Sequence, residues 1–208
     1  MQISITKALN ELKLYDSKIT KAVSATFVGA AKKSDATIDN KTKEDFKTFV
    51  KANYESVTKL IDNRAKIKSA IVQSNAVTKV NVNGIEMTVA EAIERKSSID
   101  YEKSLLYSLK EQYVKASAKI DRENMKVASQ IDSMLNAYAS GDSDKKNSSE
   151  AQKMFDSYKE KNEFELVDGI KIEDKIKALE DDILGFEAEI NTVLVVSNSI
   201  TLIDVNLD

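Results

Sequence analysis

The stretch around Asn83-Gly84 constrains the fold more than any other part of the chain. Asn-Gly is the strongest short signal for a β-hairpin, because a type I′ turn requires positive φ at both central residues. Short runs of alternating apolar and polar residues lie on both sides of it. This spacing predicts a hairpin over residues 77–89. The turn and one apolar face of the predicted hairpin comprise Val80, Val82, Asn83, Gly84, Ile85 and Met87.

Helical patterns run into and out of this hairpin, which predicts a long helical hairpin over residues 42–139. The first helix begins near Thr42, with Asp45 three residues on as its capping partner. In the second helix, six apolar residues recur at a spacing of seven, which is typical of a helix that packs along another helix. We call these residues the heptad seam, and they are Ile99, Leu106, Tyr113, Ile120, Val127 and Met134.

The two ends of the chain carry weaker signals. Residues 2–5 alternate as a short strand, Thr6 is a candidate helix cap, Gly29 is a candidate helix end, and residues 30–43 are polar like a loop.

Near the other end, residues 140–149 predict a flexible loop and residues 166–172 a turn like that of the hairpin. A helix over 172–197 with a clean apolar seam and a strand over 200–205 complete the pattern.

Residues 67–83 are similar to residues 190–206, at an offset of 123. Both stretches contain Ser-Asn near the end of a helix, at Asn75 and Asn198, and an Asn at a helix end tolerates the left-handed conformation. One interpretation is a helix-to-strand turn that is used twice; the other is coincidence in a biased composition. If the turn is used twice, the terminal strand can lie beside the central hairpin in one small sheet, with residues 2–5 joining them.

The composition favours long helices and excludes several kinds of catalytic and binding site. The 208 residues include no Pro and five Gly, so breaks in a helix are rare. No His and no Cys are present, which removes the commonest general base, the commonest transition-metal ligand and any disulfide. Lys and acidic residues are interspersed, and the formal net charge is -3. We therefore expect no cofactor, no metal and no nucleic-acid partner.

Membrane and targeting signals are weak. No apolar run reaches the ~20 residues of a membrane span, which predicts no stable span. The start of the chain lacks the charged and apolar regions of a signal peptide, which predicts synthesis in the cytoplasm.

These patterns together predict a mainly α fold. We expect one domain over residues 1–208, an elongated antiparallel helical bundle or coiled coil with a small β-hairpin sheet at one end.

Polar clusters offer little for catalysis, and we predict that the protein is not an enzyme and has no catalytic residues. Residues 142–147 are superficially similar to a calcium loop but lack its Gly and Glu, so a flexible linker is favoured. The adjacent acids at 180–182 do not face one another on a helix, which favours a solvated face.

Two sets of larger side chains have alternative interpretations. The three arginines lie in helical patterns, which favours salt bridges within the bundle or between subunits over anion sites: Arg64, Arg95 and Arg122. Three tyrosines step along one helix, and core or interface packing is favoured over a binding platform: Tyr101, Tyr107 and Tyr113.

Four short motifs occur in the order Ser74-Asn75, Asn83-Gly84, Ala92-Ile-Glu-Arg95 and Ser197-Asn198. In this order they resemble the septicolysin-like family of small helical bacterial proteins, over residues 60–113 and 172–208. The resemblance implies a helical fold, and the family's name implies a membrane-active, cytolysin-like protein.

The sequence Thr-Val-Ala-Glu-Ala-Ile-Glu-Arg-Lys at residues 88–96 is similar to uncharacterised structural proteins of tailed phages that infect low-GC Gram-positive bacteria. This resemblance implies a non-enzymatic structural or assembly protein of a virion, in the tail, neck or baseplate. Its expected partners are copies of itself and other virion proteins, and its expected locations are the host cytoplasm and the virion. A membrane-active, cytolysin-like protein is the alternative.

Overall fold

The computed structural model describes residues 1–138 and 149–207, with the side chains of residues 150 and 151 left undescribed. The fold is mainly α-helical, with 74 % of the described residues in helices, as the sequence predicts. In chain order, the described elements are β1 (Gln2–Ser4), α1 (Ile5–Ala22), β2 (Thr37–Ile38), β3 (Lys41–Thr42), α2 (Lys43–Val77), β4 (Lys79–Val82), β5 (Ile85–Thr88), α3 (Val89–Tyr138), α4 (Ser149–Asn162), α5 (Ile172–Ile200) and β6 (Leu202–Asp204).

The chain divides into two compact units, where the sequence predicts a single domain. The first unit consists of Met1–Ser98 and Gly185–Asp208, and the second unit consists of Ile99–Leu184. Helices α3 and α5 each contribute residues to both units. An apolar repeat that continues along a helix does not reveal where the packing around that helix changes, so the sequence pattern gives no sign of this division.

The main core of the first unit involves α1, α2 and the strands β1 and β6. These two strands are antiparallel and pair Ile3 with Ile203. The core side chains alternate along the strands and recur at helical spacing along α1 and α2. The buried cluster consists of Ile3, Ile5, Ala8, Leu12, Ile67, Ile71, Ile203 and Val205.

The central hairpin forms as the sequence predicts. Asn83 and Gly84 have φ values of 53° and 76°, which are those of a type I′ turn. The register pairs Val80 with Met87 and places Val82 opposite Ile85.

The expected joining of the hairpin and the terminal strand in one sheet is wrong. β4 pairs with β5 and β6 pairs with β1, in separate two-stranded sheets. Strand partners are set by tertiary packing, which the local pattern of a short strand does not encode.

Helix α1 differs from its prediction at both ends. Ser4, and not Thr6, is its cap, since the Ser4 Oγ accepts the N–H of Lys7 at 3.3 Å. The helix ends at Ala22, before Gly29. Gly29 instead lies where a Cβ atom would collide with Ile38 and Phe46, so close packing explains this glycine.

Helix α2 begins after the predicted cap, Thr42, whose Oγ1 accepts the N–H of Asp45 at 3.1 Å. A short hairpin, β2–β3, precedes this cap inside the stretch that the sequence predicts as a loop. Asp39 and Asn40 form its turn, with φ values of 50° and 60°. Two-residue strands are too short for an alternating pattern, and the Asp-Asn pair is the signal that could have revealed them.

The carboxyl-terminal helix and strand are present with shifted bounds. Helix α5 extends to Ile200, beyond the predicted end at 197, and β6 lies within the predicted 200–205. Asn75 and Asn198 are not left-handed caps, because both lie inside their helices. The predicted turn at residues 166–172 contains no paired strands and leads directly into α5.

The predicted flexible loop 140–149 and the calcium-like residues 142–147 lie outside the described residues, apart from residue 149, which begins α4. Among the described helices, α5 is long and apolar enough to cross a membrane by length and composition, with 22 % of that window buried. No uninterrupted apolar run in the sequence marks this helix, because acidic residues are dispersed along it. Core helices of soluble proteins also reach this length and composition.

Candidate interaction surfaces

The heptad seam lies along α3 in the second unit, on the side that faces other elements of this unit. Ile99 and Val127 are buried, and Met134 is 40 % exposed. Leu106, Tyr113 and Ile120 are half-buried. The spacing of seven keeps these residues on one side of the helix, as in coiled coils.

Polar contacts at the edge of the seam connect α3 with the first turns of α5. The hydroxyl of Tyr113 donates a hydrogen bond to Glu173, and the resulting contact with a carboxylate raises the pKa of Tyr113. One turn away, Lys110 Nζ lies 2.6 Å from Glu180 Oε1. A groove of about 360 Å³ remains open beside Tyr113, and Ile176 lines it as well. The α5 helix therefore covers only part of this stretch of the seam.

Further along α3, Asn124 holds the segment that precedes α5. Its side-chain amide donates to the carbonyl of Phe164 at 3.0 Å and accepts the N–H of Phe164 at 2.7 Å. Gln130 accepts a hydrogen bond of 2.7 Å from Tyr158 of α4. These contacts fix α4 and the following segment beside α3.

The second unit has a sparse apolar core. Among its described residues, the buried apolar side chains are Ile99, Val127, Phe155 and Ile183, whereas fifteen apolar residues are buried in the described part of the first unit. Many large apolar side chains of the second unit are exposed instead, among them Tyr101, Leu105, Tyr107, Val114, Met125, Val167, Ile170 and Leu184. The described part of the second unit therefore exposes more of its large apolar side chains than it buries.

Two of the three tyrosines do not pack in the core, which leaves the interface packing that the sequence also predicts as an open prediction. Tyr101 is 81 % exposed, and Tyr107 is exposed as well, so neither packs in the core. Only Tyr113 of the three contributes to the packed side of α3. Helical spacing alone does not distinguish an apolar stripe that is covered from one that is open to solvent.

The arginines contact acidic or aromatic groups. Arg64 forms an ion pair with Asp16, as the sequence predicts. The guanidinium of Arg95 lies 4.5 Å from the centre of the Phe186 ring, a cation–π contact.

Arg122 lies beside Glu123 at 3.3 Å, and Lys126 contacts the same carboxylate at 2.9 Å. Hydrogen bonds from these two cations lower the pKa of Glu123, which makes the carboxylate a weak base. All three side chains line a groove of about 670 Å³. Their mutual pairing suits a structural contact better than proton transfer.

Two of the predicted hairpin residues, Val82 and Asn83, hold the hairpin against the part of α5 that belongs to the first unit. Val82 is fully buried, and the backbone N–H of Asn83 donates to Glu189 of α5 at 2.7 Å. The side chain of Asn83 lies directly against Gly185, where a Cβ atom would collide with it. Ile85 and Gly84, by contrast, are exposed.

Helix α3 begins with a capping box directly after the hairpin. The Thr88 hydroxyl accepts the N–H of Glu91 at 3.1 Å, and Glu91 accepts the N–H of Thr88 at 2.7 Å. The backbone N–H and the hydroxyl of Thr88 both donate to the Glu91 carboxylate, and these two hydrogen bonds lower the pKa of Glu91. Beside β4, a groove of about 300 Å³ is lined by Val80, Val196 and Ile200, so an apolar surface adjoins the hairpin.

Comparison of the chain with known protein families, with curated proteins and with solved structures finds no match in any of the three.

Proposed function

We propose that this protein is a non-enzymatic structural or assembly protein, a component of a phage virion in the tail, neck or baseplate. The observation that carries the proposal is the sparse burial along the heptad seam of the second unit. The seam pattern is typical of helices that pack against helices, and Leu106, Tyr113 and Ile120 remain partly exposed. The similarity of residues 88–96 to structural proteins of tailed phages supports the virion setting.

Docking would use two kinds of surface. Helices of a neighbouring protein, or of another copy of the chain, would pack along the seam and cover the apolar side chains around it. Two-stranded sheets such as β4–β5 also leave backbone groups on their outer edges, to which an extended segment can add.

The direct test is to look for the protein in purified particles of the phage that encodes it. We expect mass spectrometry to detect it in washed virions, and electron microscopy of the purified protein to show assemblies. A protein that is strictly monomeric and absent from particles contradicts the proposal.

A pair of variants tests the seam itself. Ile120→Lys places a charge on the half-buried seam, and Ala118→Lys places the same charge on an exposed position of the same helix. We expect only Ile120→Lys to lower incorporation into particles, while circular dichroism shows that both variants keep their helices. Equal incorporation of the two variants would argue against docking through the seam.

A membrane-active protein is the second candidate, and the length and apolar composition of α5 favour it. Apolar side chains on its last turns, including Val195 and Ile200, are exposed. In this case α5 would leave its packed position and enter lipid. Dye release from liposomes at micromolar protein would support this candidate, and intact liposomes would exclude it.

A further inference from the structure

The Asn83-Gly84 turn brings together a side chain and a backbone nitrogen that can react with each other. Asn followed by Gly occurs once in the sequence. A glycine nitrogen attacks the side-chain amide of a preceding asparagine readily, because no Cβ obstructs its approach. Asn83 is exposed, and nothing in the described structure lies within 4 Å of where a Cβ of Gly84 would be, so hydroxide and water reach this peptide group. The turn is therefore a candidate for spontaneous deamidation.

The reaction needs water as its only co-reactant. The Gly84 nitrogen loses its proton to hydroxide and forms a bond to Cγ of Asn83. The bond between Cγ and Nδ2 then breaks, ammonia leaves, and a succinimide ring is closed. Water opens the ring at either carbonyl carbon, which gives aspartate or, where the main chain then runs through Cγ, isoaspartate. Both products carry a negative charge that the asparagine lacks.

The folded turn prevents this ring closure. Asn83 and Gly84 have the φ values of a type I′ turn, 53° and 76°. In such a turn ψ of the first central residue is about +30°, which places the Gly84 nitrogen and the Asn83 Cβ on nearly opposite sides of the Cα–C bond. No rotamer of the side chain then brings Cγ to the nitrogen. The Cα–C bond must rotate through more than a right angle, so the turn has to open before the reaction can occur.

Helix α5 holds the turn closed through two contacts. The backbone N–H of Asn83 donates to Glu189 Oε2 at 2.7 Å. The side-chain amide of Asn83 rests on Gly185, where a Cβ atom would collide with Cγ, Oδ1 and Nδ2 alike. The main chain and the amide of Asn83 are the groups that have to move for ring closure, and they are the groups that α5 holds. The hairpin must therefore leave α5 for the reaction to proceed.

The products do not fit the docked position. A carboxylate at position 83 lies close to the carboxylate of Glu189, and like charges repel. In isoaspartate the main chain also gains a methylene, which lengthens a two-residue loop whose register places Val82 opposite Ile85. Once the ring has opened, the hairpin cannot return to α5 as before.

The first unit contains the same arrangement of elements a second time, which supplies an internal reference. In the first module, α2 leads through Thr78 into β4, which pairs with β5, and β5 leads into α3. In the second module, α5 leads through Thr201 into β6, which pairs with β1, and β1 leads into α1. Where the first module has its turn, Met1 and Val205 exchange two backbone hydrogen bonds of 2.9 Å.

The hydrogen bonds of the two modules are equivalent. The N–H groups of Thr78 and Thr201 each donate to the carbonyl four residues earlier, at 2.9 Å in both modules. Each threonine carbonyl accepts the first N–H of the opposite helix, from Val89 at 2.8 Å and from Ile5 at 3.0 Å. The similarity of residues 67–83 to 190–206 is therefore a repeat of structure as well as of sequence. Because the second module pairs its strands without an Asn-Gly turn, a change at that turn should affect the first module alone.

We propose that Asn83 is a spontaneous modification site that docking on α5 protects, and that its conversion to aspartate or isoaspartate releases the hairpin from α5 irreversibly. The rate of conversion follows how often the hairpin leaves α5, because each opening frees the Cα–C bond to rotate. A binding event that draws the hairpin away from α5 would speed the conversion. This chemistry does not depend on the virion role proposed above.

Peptide mapping by mass spectrometry measures the conversion in the full-length protein. One sample is incubated folded and one in guanidinium chloride, both at the same mildly alkaline pH. We expect conversion at Asn83 to be about tenfold or more faster in denaturant, because the unfolded chain rotates freely at this residue. An isoaspartyl methyltransferase identifies the isoaspartate product. Equal rates in the two samples would overturn the proposal.

Two variants test the protection by α5 in the folded protein. Glu189→Ala removes a hydrogen bond to a charged acceptor and should speed the conversion roughly tenfold. Gly185→Ala displaces the amide of Asn83 and should also speed it. Asp174→Ala removes a charge from an exposed position of the same helix and should leave the rate unchanged. Circular dichroism shows which variants are folded, and a folded variant at 185 or 189 that converts at the original rate contradicts the protection.

Asn83→Asp tests the release. Asp-Gly also suits a type I′ turn, so the variant changes the charge beside Glu189 and keeps the turn. We expect the amides of β4 and β5 to exchange hydrogen faster at neutral pH, while those of β1 and β6 are unchanged. Glu189→Gln in the same chain should restore slow exchange, because it removes the like charge and keeps an acceptor. Unchanged exchange in β4 and β5, or an equal increase in both modules, would refute the release.

Discussion

The carboxylate of Asp168 stabilises the start of α5 by accepting backbone hydrogen bonds there. It accepts the N–H of Ile170 at 2.9 Å and the N–H of Ile172 at 2.8 Å, which would otherwise lack partners at a helix end. Lys171, between them, has a φ of 56°, in the left-handed region that few side chains adopt. The two backbone hydrogen bonds hold the pKa of Asp168 below its ordinary value of 3.8. One residue thus anchors both the strained backbone and the first turn of the helix.

We predict that Asp168→Asn lowers the stability of the protein at neutral pH and has little effect in strong acid. Because the pKa of Asp168 is lower in the folded state, its contribution is complete above the ordinary value of 3.8 and is lost as the pH falls through the folded value. Urea denaturation of both proteins over a range of pH measures the difference. Asp121→Asn, at an exposed position of α3, should show no such dependence. A difference that persists unchanged in strong acid would contradict this role.

At the scale of the element, the central hairpin depends on α5 as much as on its own turn. Val82 is buried, the Asn83 N–H binds Glu189, and the Asn83 side chain rests on Gly185. A two-stranded hairpin alone is marginally stable in water, so this docking supplies much of its stability. Glycine at 185 is the residue that lets the turn approach the helix so closely.

Gly185→Ala should therefore destabilise the protein, although alanine favours helix formation. A Cβ at position 185 would lie well inside the contact distance of three side-chain atoms of Asn83, whose backbone N–H is held by Glu189, so the turn must move away from the helix. An overpacking cost of about 2 kcal/mol, the middle of the usual range, exceeds the roughly 1 kcal/mol that Ala gains over Gly in a helix. Thermal denaturation should show a lower midpoint. Gly169→Ala is the control, because no atom lies within 4 Å of the added Cβ, and its midpoint should stay unchanged. A higher midpoint for Gly185→Ala would show that the hairpin tolerates displacement from α5.

The elements that the sequence predicts well are those with local causes. The Asn83-Gly84 turn and the Thr42 cap each depend on residues within a few positions of one another. The pairing of residues 2–4 with β6 agrees with the expected role of residues 2–5, but the common sheet with the hairpin is wrong, because very short strands acquire partners only through packing. The small number of buried residues around the seam could not be predicted from the sequence. An apolar repeat does not show how many of its side chains are covered by other parts of the same chain.

At the scale of the whole molecule, the first unit is organised as two equivalent modules. In one, a tight turn connects the paired strands; in the other, the strands come from opposite ends of the sequence and meet at Met1 and Val205. The two connections satisfy the same backbone hydrogen bonds in different ways. The fold of this unit therefore depends on which strands pair, and less on whether the paired strands follow each other in the chain.

A circular permutant tests this equivalence. A short flexible linker joins the two ends of the chain, and new ends are opened between Asn83 and Gly84. Because Met1 and Val205 are already paired, the linker has little distance to span, and we expect the permutant to fold with unchanged helix content. Circular dichroism and a cooperative thermal transition are the measurements. A permutant opened within α2 is the control that should fail, and an unfolded turn permutant would contradict the equivalence of the modules.

The antiparallel pairing of β1 and β6 also sets how the first unit responds to mechanical tension. Since Met1 and Val205 lie side by side, a force that draws the two ends apart acts first on the two hydrogen bonds between them. The force acts across the strands, so the remaining hydrogen bonds between β1 and β6 break one after another. In strands that are pulled along their length, all the hydrogen bonds would carry the force together. We expect the β1–β6 pair to yield under modest force, before the Asn83-Gly84 hairpin, whose strands are covalently closed at the turn.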